Sequence, residues 1–156
     1  MELNVFEDKD LINSLLKIED RILAASSSDP RIELYKMIVC RHYQCINSLK
    51  PILNYKDLEK LLTKALIQWP ELMLGEAFNL DEELAISCFH QIERFKLDKT
   101  NYHVIEYVFE YLTTQNSKGS KGQFFTPRYI IDEIVNPINY TSGLLVADPA
   151  CGSGGF

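Results

Sequence analysis

The order of the last residues constrains the fold of this chain more than any other feature. Leu144-Leu145-Val146-Ala147 is a short apolar run, the pattern of a buried strand. It ends on Asp148, and Gly152, Gly154 and Gly155 follow closely. Strand, acid and glycine turn in that order describe the carboxyl end of a parallel strand holding a nucleotide-like ligand. Glycine lets the backbone approach such a ligand, because a side chain would occupy its volume. A helix after the turn offers free N–H groups to an anionic group. The sequence in hand reaches Phe156, before any such helix. A plain strand-to-loop corner would use the same residue types.

A second stretch narrows the choice. Gly122-Gln123-Phe124-Phe125-Thr126-Pro127-Arg128 lies upstream of Asp148-Pro149-Ala150-Cys151-Gly152-Ser153-Gly154-Gly155-Phe156. The pair, in this order and at this spacing, resembles the amino-methyltransferases of bacterial restriction–modification systems. The likeness is greatest to the modification subunit of type I systems and related adenine-specific N-6 DNA methylases. Their patterns G-Q-F-[FY]-T-P-R and D-P-A-C-G-S-G-G-F are matched residue for residue. The helical stretch 105–112 also looks like the family's apolar helix before the linker, whereas upstream of residue 100 only the helical pattern is shared.

The resemblance implies S-adenosylmethionine as cofactor and methyl transfer to the exocyclic amino group of adenine in DNA. It places Phe124, Phe125 and Thr126 at the methionine end of the cofactor. There the threonine hydroxyl can bond a carboxylate and the rings can shield the sulfonium. Asp148 would sit near the cofactor's amino end or order the turn with Pro149. Gly152, Ser153 and Gly154 would allow close approach, and Phe156 would pack on the cofactor. Phe124 and Phe125 have a second reading as packing between domains, compatible with the first. The base-holding tetrapeptide of the family, N-P-P-Y or N-P-P-F, does not occur; Asn136-Pro137-Ile138-Asn139 lacks the second proline and the aromatic. An extruded base needs such acceptors, and the acidic residue expected to bind the cofactor's ribose is not found either. The expectation is the first part of an adenine-specific methyltransferase, inactive alone and without catalytic residues of its own. DNA, through the full enzyme, and specificity and restriction subunits are the implied partners. A helical interaction module from a truncated gene, holding such a subunit or DNA, is the alternative. Methylation of cytosine or a protein glutamine is a weaker third reading.

The upstream chain is helical in pattern. Leu11, Ile12, Leu15, Leu16, Ile22 and Leu23 recur at helical spacing over residues 9–25, and Ser26-Ser27-Ser28 breaks it. Asp29-Pro30 is a cap followed by a first-turn proline, opening a helix to about Asn47. Its buried face is expected to carry Ile32, Tyr35, Ile38, Val39, Tyr43 and Ile46. A third helix over 56–68 presents Leu58, Leu61, Leu62, Ala65 and Leu66 and ends before Pro70. Trp69, Leu72, Met73, Leu74 and Phe78 read as packing between helices rather than as an aromatic pocket. Asp81 caps a fourth helix with Leu84, Ile86, Phe89, Ile92 and Phe95 inward, and Thr100 or Asn101 opens a fifth. Residues 116–122 are polar and glycine-rich, a connector. Thr126-Pro127 starts a short helix to about Val135, Pro137 stops it, and Thr141-Ser142-Gly143 turns the chain into the strand. The expected fold is therefore mainly α: a helical N-terminal domain, 1–115, a linker, 116–122, and over 123–156 the first strand and cofactor loop of a Rossmann-like α/β methyltransferase domain.

Charge and sulfur exclude several classes. Residues 1–116 hold 13 Lys/Arg against 19 Asp/Glu, whereas residues 117–156 hold three of each, so the net −6 lies in the helical part. An acidic domain repels phosphates overall, which disfavours it as the sole DNA binder. Cys40, Cys45, Cys88 and Cys151 form no C-x-x-C pair and share no metal-ligand spacing with His42, His90 or His103. They read as free thiols in a reducing compartment, with no metal. No membrane-spanning run or signal-peptide pattern is present, and a cytoplasmic protein is expected.

Overall fold

The first helix is made by a stripe four and three residues apart. Leu11, Leu15, Ile18 and Ile22 are all buried on α1, Val5–Ala25. This is the first helix of a computed structural model that describes residues 5–72, 74–98, 126, 128–138, 142–143 and 145–151. The chain divides into two units, Met1–Leu112 and Thr113–Phe156. Leu23 was expected on the buried stripe of α1, yet it is 64% exposed. It is one residue on from Ile22, about 100° around the helix and off the face.

The α1 helix ends at the serine run, and α2, Pro30–Ile46, starts as its sequence predicts. The Asp29 carboxylate accepts the Arg31 N–H at 2.9 Å, with Pro30 in the first turn. The short turn makes α1 and α2 an antiparallel hairpin. The face of α2 differs from the expected one. Leu34, Met37, Ile38, Val39 and Cys40 are buried, while Ile32 and Ile46 are exposed. The reason is that α2 packs against α1, α3 and α4 at once, so most of its middle circumference is covered. A single-stripe argument assumes one covered face.

That covering carries three polar side chains inside: Glu33, Lys36 and Gln44. Each is fully partnered, as burial of charge demands. The Lys36 ammonium donates to Glu33 Oε1 at 2.7 Å and to the Ala77 carbonyl at 2.7 Å. Glu33 Oε2 accepts the Asn79 N–H at 3.1 Å, and Ser28 Oγ donates to the Asn79 carbonyl. Residues 77–79 are thus pinned to α2, with Phe78 buried and its ring 5.9 Å from the Lys36 ammonium. At the other end of α2, Gln44 Nε2 donates to Glu93 Oε1 at 2.6 Å and to the Lys50 carbonyl at 2.9 Å. Glu93 Oε1 also accepts the Ile52 N–H at 2.9 Å.

The helix α3, Tyr55–Gln68, buries Leu58, Leu61, Leu62 and Ala65 as expected. Asn54 caps it by accepting the Asp57 N–H at 3.1 Å. A single 3-10 turn, Pro70–Leu72, follows. The fourth helix, α4, Glu82–Glu93, is capped by Asp81, whose carboxylate accepts the N–H groups of Glu83 and Leu84. It buries Leu84, Ala85, Cys88, Phe89 and Ile92, with Ile86 and Phe95 packed at the margin of the core. The Ser28–Asn79 contact sits beside the starts of α2 and α4, and the Gln44–Glu93 bond joins their ends, so these helices run in the same direction. Burying each of the large aliphatic side chains of this core contributes about 1.5–3 kcal/mol.

In the second unit, α5, Arg128–Val135, lies where a short helix was expected. It closes with Asn136 N–H bonding the Asp132 carbonyl and Ile138 N–H bonding the Val135 carbonyl, around Pro137. Ile131 is buried, Ile134 is exposed, and Ile130 sits at the boundary of exposure. Gly143 takes φ +95° in the turn at 142–143, a conformation glycine adopts without strain. The strand expected over 144–147 is not formed among the described residues. Residues 145–148 lie in no regular element, and Leu145 is 99% and Val146 66% exposed. A strand exists only through its neighbour's N–H and C=O groups, and no strand occurs among the described residues to supply them. The fifth helix expected from Thr100 or Asn101 and the connector 116–122 lie outside the described residues.

Candidate functional site

Local chemistry builds the turn at Asp148. Proline locks φ of residue 149 and removes its N–H, so the first donor that the Asp148 side chain can meet is that of Ala150. The structure has this bond: Ala150 N–H donates to Asp148 Oδ1 at 2.9 Å. Residues 149–150 form a turn, and everything from Leu145 to Cys151 is exposed. The carboxylate therefore shapes the turn at 149–150, and it does so with no strand beside it among the described residues.

Of the nine residues expected around a cofactor, the structure describes Thr126, Asp148 and Pro149. Thr126 is exposed and lies two residues before the start of α5. Phe124, Phe125, Gly152, Ser153, Gly154 and Phe156 lie outside the described residues. The described part of the candidate site is thus the Asp148-Pro149-Ala150 turn, a shaped backbone rather than a closed site.

The helical unit supplies no competing centre among its described residues. No group of three or more His, Cys, Asp or Glu there is arranged to hold a metal ion. The His42 Nδ1 lies 3.0 Å from the Leu97 carbonyl, and its ring stacks on Trp69 with centroids 5.5 Å apart. Tyr43 meets the same indole edge-on at 6.0 Å. These aromatics pack helix against loop, as their sequence context implied. All four cysteines are free thiols. Burial pushes the Cys40 thiol far up and raises Cys88 as well, so both stay protonated and unreactive at neutral pH. No helix of the described residues is long and apolar enough to cross a membrane.

Sequence reasoning missed the Glu33–Lys36 pair. The only signal was the i, i+3 spacing of opposite charges flanking Leu34 and Met37, which an exposed helix edge shows equally often.

Comparison with known proteins bears on the carboxy-terminal part. The family profile described as N-6 DNA Methylase matches residues 100–156. A curated relative, the type I restriction enzyme EcoEI methylase subunit of Escherichia coli, is 48% identical over 40 residues. That alignment covers 26% of this chain and 8% of the relative, so only a small part of the relative's length is represented. No solved structure matches the chain. The profile covers both motifs, G-Q-F-F-T-P-R and D-P-A-C-G-S-G-G-F, on which the resemblance rests, so the stretch 100–156 is similar to N-6 DNA methylases.

Proposed function

We propose that residues 123–156 open the S-adenosylmethionine site of an enzyme that methylates the exocyclic amino group of adenine in DNA, within a restriction–modification system. One observation carries this reading: two motifs, each matched residue for residue, fall in order inside the stretch that matches the family profile. Phe124 and Phe125 shield the sulfonium, and the Thr126 hydroxyl bonds the cofactor carboxylate. Asp148 and Pro149 set the turn, Gly152, Ser153 and Gly154 admit the cofactor to the backbone, and Phe156 packs on it. DNA is the substrate of the full enzyme, and specificity and restriction subunits are its partners in the cytoplasm. The 156 residues by themselves transfer no methyl group, because they hold no N-P-P-Y or N-P-P-F to grip an extruded base.

A second reading assigns the helical unit an interaction role. Its support is that residues 11–97 close a hydrophobic core of their own and that residues 1–116 carry the chain's acidic excess, which suits protein contacts better than phosphates.

Titration of the isotope-labelled chain with S-adenosylmethionine, followed by NMR, tests the cofactor reading. Shifts confined to residues 124–126 and 148–156, with affinity of about 1 mM or weaker, are expected of one wall of a site. No response at any of those residues at about 10 mM cofactor, roughly ten times that dissociation constant, would remove the reading. In parallel, tritiated cofactor and mixed DNA should give no labelled adenine. Label above a blank would show that these residues suffice for transfer.

A further inference from the structure

The outer face of α3 carries a line of cations. Lys56, Lys60 and Lys64 are all exposed and follow one another in four-residue steps. Each step turns about 40° around the helix and rises about 6 Å, so the three share one side. Leu58, Leu61, Leu62 and Ala65 are buried on the other. We propose that this stripe docks the phosphate backbone of DNA, gripping the duplex without reading its sequence.

The helical unit is acidic as a whole, and where that acid lies permits the assignment. Residues 65–93 contain Glu71, Glu76, Asp81, Glu82, Glu83 and Glu93 and no Lys or Arg. These six carboxylates account for the chain's net −6, because the rest of the chain holds 16 Lys/Arg against 22 less six, or 16, Asp/Glu. The acidic excess is thus confined to 65–93, and α3 itself sets three lysines against two acids. Asp57 reaches Lys60 at 3.8 Å with the lysine side chain 73% exposed, a loose pair that a phosphate can displace. Glu59 is half-buried beside the Tyr55 hydroxyl. Lys56 and Lys64 form no ion pair among the described residues. Two features favour phosphates over an acidic protein. The step along the stripe is close to the separation of successive phosphates on one strand, and the flexible lysine stems take up the remainder. Lysine is also depleted at protein interfaces, which are anchored by Trp, Tyr and Arg. The face has none of these, and its apolar member is Ile67, 75% exposed. The choice of DNA among polyphosphates rests on the proposed function; the contact itself needs no cofactor site.

The test titrates the isotope-labelled full chain with a mixed-sequence DNA duplex at several salt concentrations, read by NMR. Shifts centred on residues 56, 60 and 64 are expected, with a dissociation constant of about 0.1 mM at low salt, the weak end of non-specific binding. Three phosphate contacts give a slope of about −2.7 in log affinity against log salt, so affinity falls about fortyfold for a fourfold rise in salt. Lys56→Gln, Lys60→Gln and Lys64→Gln should each flatten that slope by about 0.9. The three arginine replacements together should keep it. If the triple glutamine chain loses its helical circular dichroism, the single changes at these exposed positions carry the measurement. Three results overturn the inference: no response at about 1 mM duplex, some ten times the expected dissociation constant; a salt slope that the glutamine changes leave alone; or polyglutamate of matched charge shifting the same residues as strongly as DNA, which would give the face to an acidic protein. The S-adenosylmethionine titration is read at residues 124–126 and 148–156, so the cofactor reading and this one fail separately.

Discussion

The two units of this chain both carry large apolar residues and use them differently. In the helical unit, Leu15, Ile18, Leu34, Met37, Leu58, Leu62 and Phe89 are fully covered by neighbouring helices. In the second unit, Leu145 and Val146 stand in solvent, and Ile134 and Ile138 are half exposed. The hydrogen-bonding requirement of the element separates them. A helix satisfies its backbone internally and needs neighbours only for its apolar face. A strand needs another strand before it exists at all. Helices α1 to α4 can therefore close on one another, whereas the run at 144–147 cannot build its own support.

The largest effect expected from breaking this contrast lies in the buried charge pair. Lys36→Ala leaves the Glu33 carboxylate in the core opposite an empty site and should cost about 3–5 kcal/mol in urea unfolding. A double change, Glu33→Leu with Lys36→Met, should recover much of that loss, because well-packed apolar replacements of buried pairs are often near neutral. A loss below about 1 kcal/mol for Lys36→Ala would mean that the pair is hydrated as a surface bridge is, and the closed-core description would fail.

A middling effect is expected at the α2 cap. Asp29→Ala should cost about 1 kcal/mol. Burial pushes the Asp29 carboxyl up. The hydrogen bonds and charge of Arg31, with the backbone bond of Ile32, outweigh that and hold it below its ordinary value. A carboxyl lowered on folding contributes stability that is present above the unfolded value, about 3.9, and is lost as pH falls through the lower folded value. Asp29→Asn should keep the cap geometry and abolish that acid-side term. Paired unfolding curves at pH 7 and in the acid range check this; an unchanged acid dependence in the asparagine chain would place the term elsewhere.

The smallest effect belongs to the exposed run, and it sharpens the comparison most. Leu145→Ser should change stability by no more than about 0.5 kcal/mol, because the side chain has no neighbours to lose. The same class of truncation in the core, Leu15→Ala, should cost about 2–5 kcal/mol. Amide exchange at Leu145, Val146 and Ala147 should be fast beside that of α2 and α4. Strong protection at those three amides in a dilute sample would show that the run is paired after all.

Much of the helical unit was legible beforehand. The caps Asp29 and Asp81 were readable because capping is a local bond between a side chain and N–H groups two or three residues on. The stripe of α3 was readable because its apolar residues recur on a single face; each of Leu58, Leu61, Leu62 and Ala65 is buried. The face of α2 was not, since a helix with three neighbours hides more than one stripe, and Ile32 and Ile46 ended outside it. At the candidate site the Asp148-Pro149 pair was readable as a turn, but its acceptor, Oδ1 on the Ala150 N–H, was not among the bonds that spacing specified.

Sequence alone specified helices α1 to α4, the caps Asp29 and Asp81, and the likeness of residues 100–156 to N-6 DNA methylases, because each depends on residues near one another in the chain. Tertiary structure decided the rest: which side of α2 faces inward, that Glu33 and Lys36 are interior, that residues 77–79 are tied to α2, and that the run at 145–148 stays outside any ladder. Those outcomes depend on partners distant along the chain, where burial, charge pairing and strand hydrogen bonds are supplied or withheld.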